Sequence, residues 1–220
     1  MTTSEFDTVD ALMAHYAAGI LPEPARVLVA AHLELKPSNR QTVAAFETAA
    51  GDLMETLDPE PISDPENRIA TILSSAPLQH AAYTAPWHAE KEAEKDAWPR
   101  ALRDFAGFDR DDVPWRWKLP GLKEYTLGKI DGCDVSFYRI RPGRAIPEHT
   151  HEGFELSLVL HGAFSDVRGR FGRGDISVAD DSLDHRPVAE SGEHCIVFAV
   201  TDAPVKLRGS LGRRLSDLIG

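Results

Sequence analysis

The sequence predicts a multidomain α + β chain: a small N-terminal helical bundle followed by a C-terminal β-barrel of jelly-roll type. Three observations carry this reading. Apolar residues recur at three- and four-residue spacing through the first third of the 220 residues. Short β-rich runs, punctuated by Gly and Asp, fill the last stretch from about residue 98. A charged stretch separates the two. The expected boundaries are residues 1–76 for the helical domain, 77–97 for a linker and 98–220 for the β domain.

Within the front, Val9, Leu12, Met13, Tyr16 and Ala17 form one helical stripe, and Gly19 stands where that helix would stop. A second helix is expected from Pro22 or Pro24 through Val27, Leu28, Ala31, Leu33 and Leu35, with Pro37 ending it. Ser38 and Gln41 have capping-box spacing ahead of a third helix carrying Val43, Phe46, Ala50, Leu53, Met54 and Leu57. Residues 58–65 hold three prolines and three acids, a stiff solvated connection. Asp64 and Pro65 then look like the cap and first position of a shorter helix through Ile69, Ile72 and Leu73.

The linker carries His80, Trp87, His88 and alternating charges, which suit an exposed segment with no chemical role. Trp98 to Phe105 and Trp115 to Trp117 are ordered lead-ins, with Trp115 and Trp117 placed to cover an open sheet edge. Strands are expected at 124–130, 134–140, 154–160, 164–168, 176–179, 195–200 and 205–207. Many short antiparallel strands in about 110 residues need a closed or sandwiched architecture to hide their edges. The amphipathic tail at 211–219 is expected to dock on the barrel.

Composition excludes several function classes. The net charge of −11 argues against direct nucleic-acid binding, since phosphates demand a basic face. Residues 1–75 alone carry twelve acids against Arg26, Lys36, Arg40 and Arg68, a net of −8. Such an acidic segment suits a basic protein partner, against the plainer reading, which charge alone favours, of simple solubility. With no run of eighteen apolar residues and no basic-then-apolar leader, the expected location is the cytoplasm, away from membranes. Cys133 and Cys195 then read as reduced thiols, small buried strand residues rather than a disulfide.

The densest chemistry lies between residues 143 and 185. On a strand, residues two apart share a face, so His149 and His151 point together, with Glu155 on the same parity. His185, from a later strand, would complete a nitrogen and oxygen ligand set for a transition metal. The run from Gly143 to Gly162 fits Gly-x5-His-x-His-x3-Glu-x6-Gly, and Gly174 and His185 keep the spacing of a second motif. These paired motifs resemble those of cupins, which implies a jelly-roll fold with His149, His151, Glu155 and His185 as metal ligands. Asp180 and Ser182 stand where the second motif usually has Pro and Gly. Glu148 and Glu152 flank the ligands as candidate outer acceptors or a base, against the plainer reading of exposed turn carboxylates. His161 is not required by the motif, and His194 alternates away from Cys195, so a His–Cys nucleophile pair is not expected.

Residues 10–23 and 29–35 in the front, with Leu102-Arg-Asp-Phe, Pro114-Trp-Arg-Trp and 181–195 behind, together resemble the ChrR family of anti-sigma factors. The resemblance covers nearly the whole chain. It implies a helical domain that holds an extracytoplasmic-function sigma factor inactive, and a cupin required for release, in response to singlet oxygen and related oxidants. It also implies zinc as the cupin metal, although the ligand types equally suit iron, manganese or nickel. The family's helical domain further binds zinc through an early histidine, a helix histidine and a Cys-x-x-Cys. Here His32 keeps the helix position, but Lys36-Pro-Ser-Asn39 replaces the cysteines and Phe6 or Asp7 the early histidine. One ligand cannot hold structural zinc. No metal is therefore expected at His32, which is read as a surface or packing histidine of a helix held by apolar stripes alone.

Two functions of different class follow. One is a regulator, with sigma binding in front and an oxidant- or ligand-sensing metal cupin behind. The alternative is a metal-dependent cupin enzyme, a dioxygenase or isomerase, with the helices as an oligomerisation appendage. A cupin-mediated homodimer is compatible with both.

Overall fold

A computed structural model describes residues 8–75, 97–203 and 205–207. The linker histidines, Trp87, Phe6, Asp7 and the tail at 211–219 lie outside the described residues. Four helices precede the β domain: α1 (Val9–Ala17), α2 (Glu23–Leu35), α3 (Arg40–Glu55) and α4 (Pro65–Ser74). Thr8 caps α1 by accepting a hydrogen bond from the Ala11 amide, and Asp64 caps α4 through the Asn67 amide. The expected capping box ahead of α3 does not form. Pro37–Asn39 instead make a 3-10 turn, and the Asn39 side chain is drawn away to His32.

A fifth helix, α5 (Arg100–Ala106), follows, and eleven strands come after it. Six form one antiparallel sheet in the order β1 (Arg116–Leu119), β2 (Leu122–Ile130), β3 (Cys133–Ile140), β10 (Cys195–Thr201), β5 (Glu155–His161) and β8 (Ile176–Ala179). The opposite side of the barrel is built from β7 (Gly169–Gly172), β6 (Ala163–Asp166) and β9 (Val188–Ala189), beside the pair β11 (Val205–Leu207) and β4 (His149–His151). The expected strands are all present in some form. Four further strands, at 116–119, 149–151, 169–172 and 188–189, were not expected; they are two to four residues long, too short for a periodic signal.

In the large sheet, β5 and β10 are buried on both faces. On β5, Leu156, Leu158 and Leu160 face the helices, while Glu155, Ser157 and Val159 face the barrel interior. Phe137 and Phe198 continue the helix-side layer, where Trp98 stacks on Phe137 at 4.7 Å between ring centroids. Residues of α1, α2, α3 and α5 share this core with the sheet, so the front helices and the barrel are one packed body along α2. Double-sided burial explains why β5 and β10 read as continuous apolar runs rather than alternating ones.

Polar contacts add to that packing, contrary to the expectation of apolar stripes alone. The Glu34 carboxylate accepts from the Arg100 and Ala101 amides at 2.7 and 2.9 Å, capping α5. The Glu23 amide donates to Asp131 at 2.8 Å. Lys36 pairs with Asp175 at 3.0 Å. His32 is buried, with Nδ1 2.6 Å from the Gly174 carbonyl and Nε2 2.8 Å from Asn39 Nδ2. Gly174 has φ +87°, and a Cβ there would lie 2.9 Å from Lys36 Cε and 3.0 Å from Leu35 Cβ. The motif glycine is therefore also the seat of the α2 C-terminus.

Nδ1–H donating to Gly174 and Nε2 accepting from Asn39 together require the neutral imidazole. Burial holds the His32 pKa below its usual value, with Lys36 adding to the lowering and Gly174 and Asp175 opposing it. Its contribution to stability is therefore complete above the unfolded value of about 6.5 and is lost as the pH falls below it. His32→Leu should cost about 1–3 kcal/mol by orphaning the Gly174 carbonyl and Asn39. Thermal melts at pH 7.5 and 5.5 should show a smaller acid loss in this variant than in the parent. An equal loss in both would refute the assignment.

Candidate metal centre

His149 and His151 sit two apart on β4, so the pleat turns both rings inward. A backbone bridge then sets the third imidazole: His149 and His185 exchange N–H···O bonds, both at 3.0 Å. Glu155 is the first residue of β5 and enters from the large sheet. The four ligand atoms lie within 4.8 Å of one another, and all four residues are buried or nearly so. Among the described residues, no other group brings three or more such ligands together. Glu155 Oε2 is 3.0 Å from His151 Nε2, 3.4 Å from His185 Nε2 and 3.9 Å from His149 Nε2.

The donor set fits a cation. His149 Nδ1 lies 2.7 Å from the Pro147 carbonyl, which fixes the proton there and leaves a lone pair on Nε2. His185 Nδ1 lies 3.3 Å from Asp166 Oδ2, with the same consequence. The two Nε2 atoms are 3.0 Å apart, so two lone pairs face each other unless positive charge stands between them. Both His151 nitrogens are buried without a hydrogen-bond partner; its close approach to Glu155 lacks hydrogen-bonding geometry. Buried polar atoms left this way are costly unless an ion satisfies them. The electrostatics agree. Burial pushes the Glu155 carboxyl up, yet the three imidazoles outweigh it and hold the group well below the usual carboxylate range. Burial would lower His185, but Asp166 and Glu155 raise it above its ordinary value.

Asp166, missed in the sequence, orients His185. Its carboxyl is pushed up by burial but held far below the usual range by hydrogen bonds from His185 and Arg168. Arg168 in turn reaches Asp166 and Ser177, each at 2.6 Å, and the Val178 carbonyl. Nothing local marks an aspartate nineteen residues before the histidine it serves; only strand pairing brings them together. Glu152 is exposed, and Asp166 is a carboxylate found against a ligand imidazole. Asp166→Asn should lower metal affinity about 10- to 100-fold, as losing such a partner typically does, with the fold retained. Unchanged affinity by competition with a chelator would remove Asp166 from the site.

The departures at 180 and 182 have a physical account. Asp180 Oδ1 accepts from the Ser182 amide at 2.9 Å and its hydroxyl at 2.5 Å, closing the turn that Pro and Gly otherwise preset. Gly162 has φ +65° and a Cβ there would meet the His194 carbonyl. His161 pairs with Glu193 at 3.1 Å, outside the ligand cluster. Cys195 is fully buried, and burial, aided by Glu190 and Glu193, pushes its thiol up to about 12. Burial also raises Cys133, so neither cysteine is a ready thiolate.

Comparison with known proteins decides the family. Over 202 residues, covering 92% of both chains, this sequence is 38% identical to the anti-sigma-E factor ChrR of Cereibacter sphaeroides. The chain belongs to the ChrR family of anti-sigma factors. The ChrR cupin-like domain matches residues 104–204, which contain all four ligands. The crystal structure of Rhodobacter sphaeroides SigE in complex with the anti-sigma ChrR matches with a TM-score of 0.70 at 35% identity, over 91% of this chain and 100% of that one. Within the ChrR family, this chain has Asn39 bonded to His32 and Lys36 bonded to Asp175 at the positions read above as replacing the zinc cysteines.

Proposed function

We propose that this chain is a metal-containing anti-sigma regulator, in which the front helices sequester an extracytoplasmic-function sigma factor and the barrel metal is the sensing half. The observation that carries the first part is the apolar surface of α3 and α4. Leu53, Met54, Leu57, Ile69, Ile72 and Leu73 are 57–80% exposed, and no residue of α4 is buried. A ten-residue helix with nothing buried has little to hold it in water, and its stripe calls for a partner. The relative whose crystal structure matches over 91% of this chain was solved bound to SigE. Acidic Asp52, Glu55, Asp58, Glu60 and Glu66 around the stripe suit a basic partner.

His149, His151, Glu155 and His185 would hold the metal, zinc by resemblance, which would supply a Lewis-acidic centre open to a small ligand or oxidant. The cavity beside them is only about 20 Å³, room for a water and not for an organic substrate. That size supports sensing over a dioxygenase or isomerase. Among the described residues, no helix is long and apolar enough to cross a membrane, in keeping with a cytoplasmic regulator. The test is co-expression of the full chain with each extracytoplasmic-function sigma factor of its source genome. One stable complex is expected, and capture of none would end the reading.

A further inference from the structure

Among the described residues, one cluster of cationic side chains on the large sheet makes no ion pair. A cavity of about 220 Å³ is lined by Trp117, Gly121, Lys123, Arg139, Arg141 and His194. The strand register places its key members in a row: Trp117 opposite Lys123, and Lys123 opposite Arg139. Arg139 lies on the face of β3 that carries Val135 and Phe137, two residues past the aromatic layer under α5. The Arg141 amide donates to the Gly121 carbonyl at 2.8 Å, and the stem of Arg144 packs over Gly121.

Like charges directly opposite each other on a sheet are destabilising, and Lys123 and Arg139 are such a pair. Elsewhere in the barrel, cations find acids: Lys118 with Glu124 at 2.5 Å, Arg170 with Glu190 at 2.8 Å, Arg168 with Asp166 at 2.6 Å. Within the described residues, Lys123, Arg139 and Arg141 make no ion pair, although the chain carries 35 acids against 24 Lys and Arg. Arg139 Nε is buried with no hydrogen-bond partner. Lys123 Nζ instead lies 4.8 Å from the centre of the Trp117 ring. His194 reports the local field: burial lowers its pKa, and Arg139, Arg141, His161 and Lys123 lower it further.

We propose that this cavity binds the phosphate group of a small molecule, with the Arg139 guanidinium as anchor and Lys123, Arg141 and His194 around it. A guanidinium fork presents paired donors to an oxyanion, which the orphaned Nε of Arg139 lacks within the protein. Trp117 is 69% exposed and offers an apolar wall to whatever carries the phosphate. A concave, partly buried site of this volume suits a small anion better than the flat contact of a protein surface. The proposal is independent of both the metal and the sigma partner.

The full-length protein should be titrated calorimetrically with inorganic phosphate and, separately, with phenyl phosphate, at constant ionic strength set with chloride. Saturable binding of one equivalent is expected, tighter for phenyl phosphate if the natural ligand is an ester and equal if it is the free ion. Arg139→Met and Lys123→Met should each weaken binding at least about tenfold, while retaining the parent's thermal midpoint within a few degrees. Arg173→Met, remote from the cavity, should bind as the parent does. If Arg139→Met fails to fold, Lys123→Met alone decides. Absence of saturable binding, or undiminished affinity in a folded Arg139 or Lys123 variant, would overturn the proposal.

Discussion

Ile72→Asp combined with Leu73→Asp should weaken sigma-factor capture at least about a hundredfold, the effect of burying two charges at the centre of an apolar contact. Both side chains stand in solvent in the free chain, at 72% and 80% exposure, so nothing in the fold depends on them. The thermal midpoint should consequently move by no more than about 2 °C, as for most surface changes. That combination, binding lost and stability kept, separates an interface from a structural role. Leu53→Asp with Met54→Asp on α3 should behave alike if the two helices form one surface. Quantitative pull-down and a melt of each double variant are sufficient. Undiminished capture by both would place the sigma factor elsewhere on the chain.

Removing the metal should have the largest effect on stability. Without it, the His149 and His185 lone pairs face each other, both His151 nitrogens are orphaned, and a buried carboxylate loses its counter-charge. Breaking one partner out of a buried charged set costs about 3–5 kcal/mol. For a chain of this size that corresponds to a fall of about 10 °C in thermal midpoint. Chelator treatment should produce this shift, and readdition of the ion should reverse it. Glu155→Gln should reproduce most of it without chelator, because Glu155 is the one carboxylate against three imidazoles. A chelator-insensitive midpoint would mean that the cluster is held by hydrogen bonds and a proton alone.

The candidate ligand cluster was legible in part because a strand's two-residue repeat is local. His149 and His151 announce a shared face of β4, whereas Glu155 enters from β5 and was read from the motif spacing; the glycines mark turns, as Gly162 does against the His194 carbonyl. What strand pairing alone assembles was not legible. Asp166 meets His185 through the barrel, and Arg139 meets Lys123 through register. The capping box at Ser38 and Gln41 does not form: residues 37–39 make a 3-10 turn, and the Asn39 side chain meets His32. The apolar residues of α3 and α4 had the right period, but periodicity is silent on whether the stripe faces its own core or another protein's. Here Val43 is buried in the bundle while Leu53, ten residues later, is not.

The front helices are packed by polar contacts at the positions that the resemblance assigns to zinc ligands. Lys36, Asn39 and His32 each bond to a neighbour, and two of those neighbours, Gly174 and Asp175, belong to the barrel turn that precedes β8. The helical part is thereby tied to the domain that holds the ligand cluster. Metal content measured on three purified full-length proteins tests this account most directly. The parent should contain about one equivalent of transition metal per chain, His149→Ala essentially none, and His32→Leu the same single equivalent as the parent. Two equivalents in the parent, or a loss of metal from His32→Leu with His149→Ala unaffected, would contradict it.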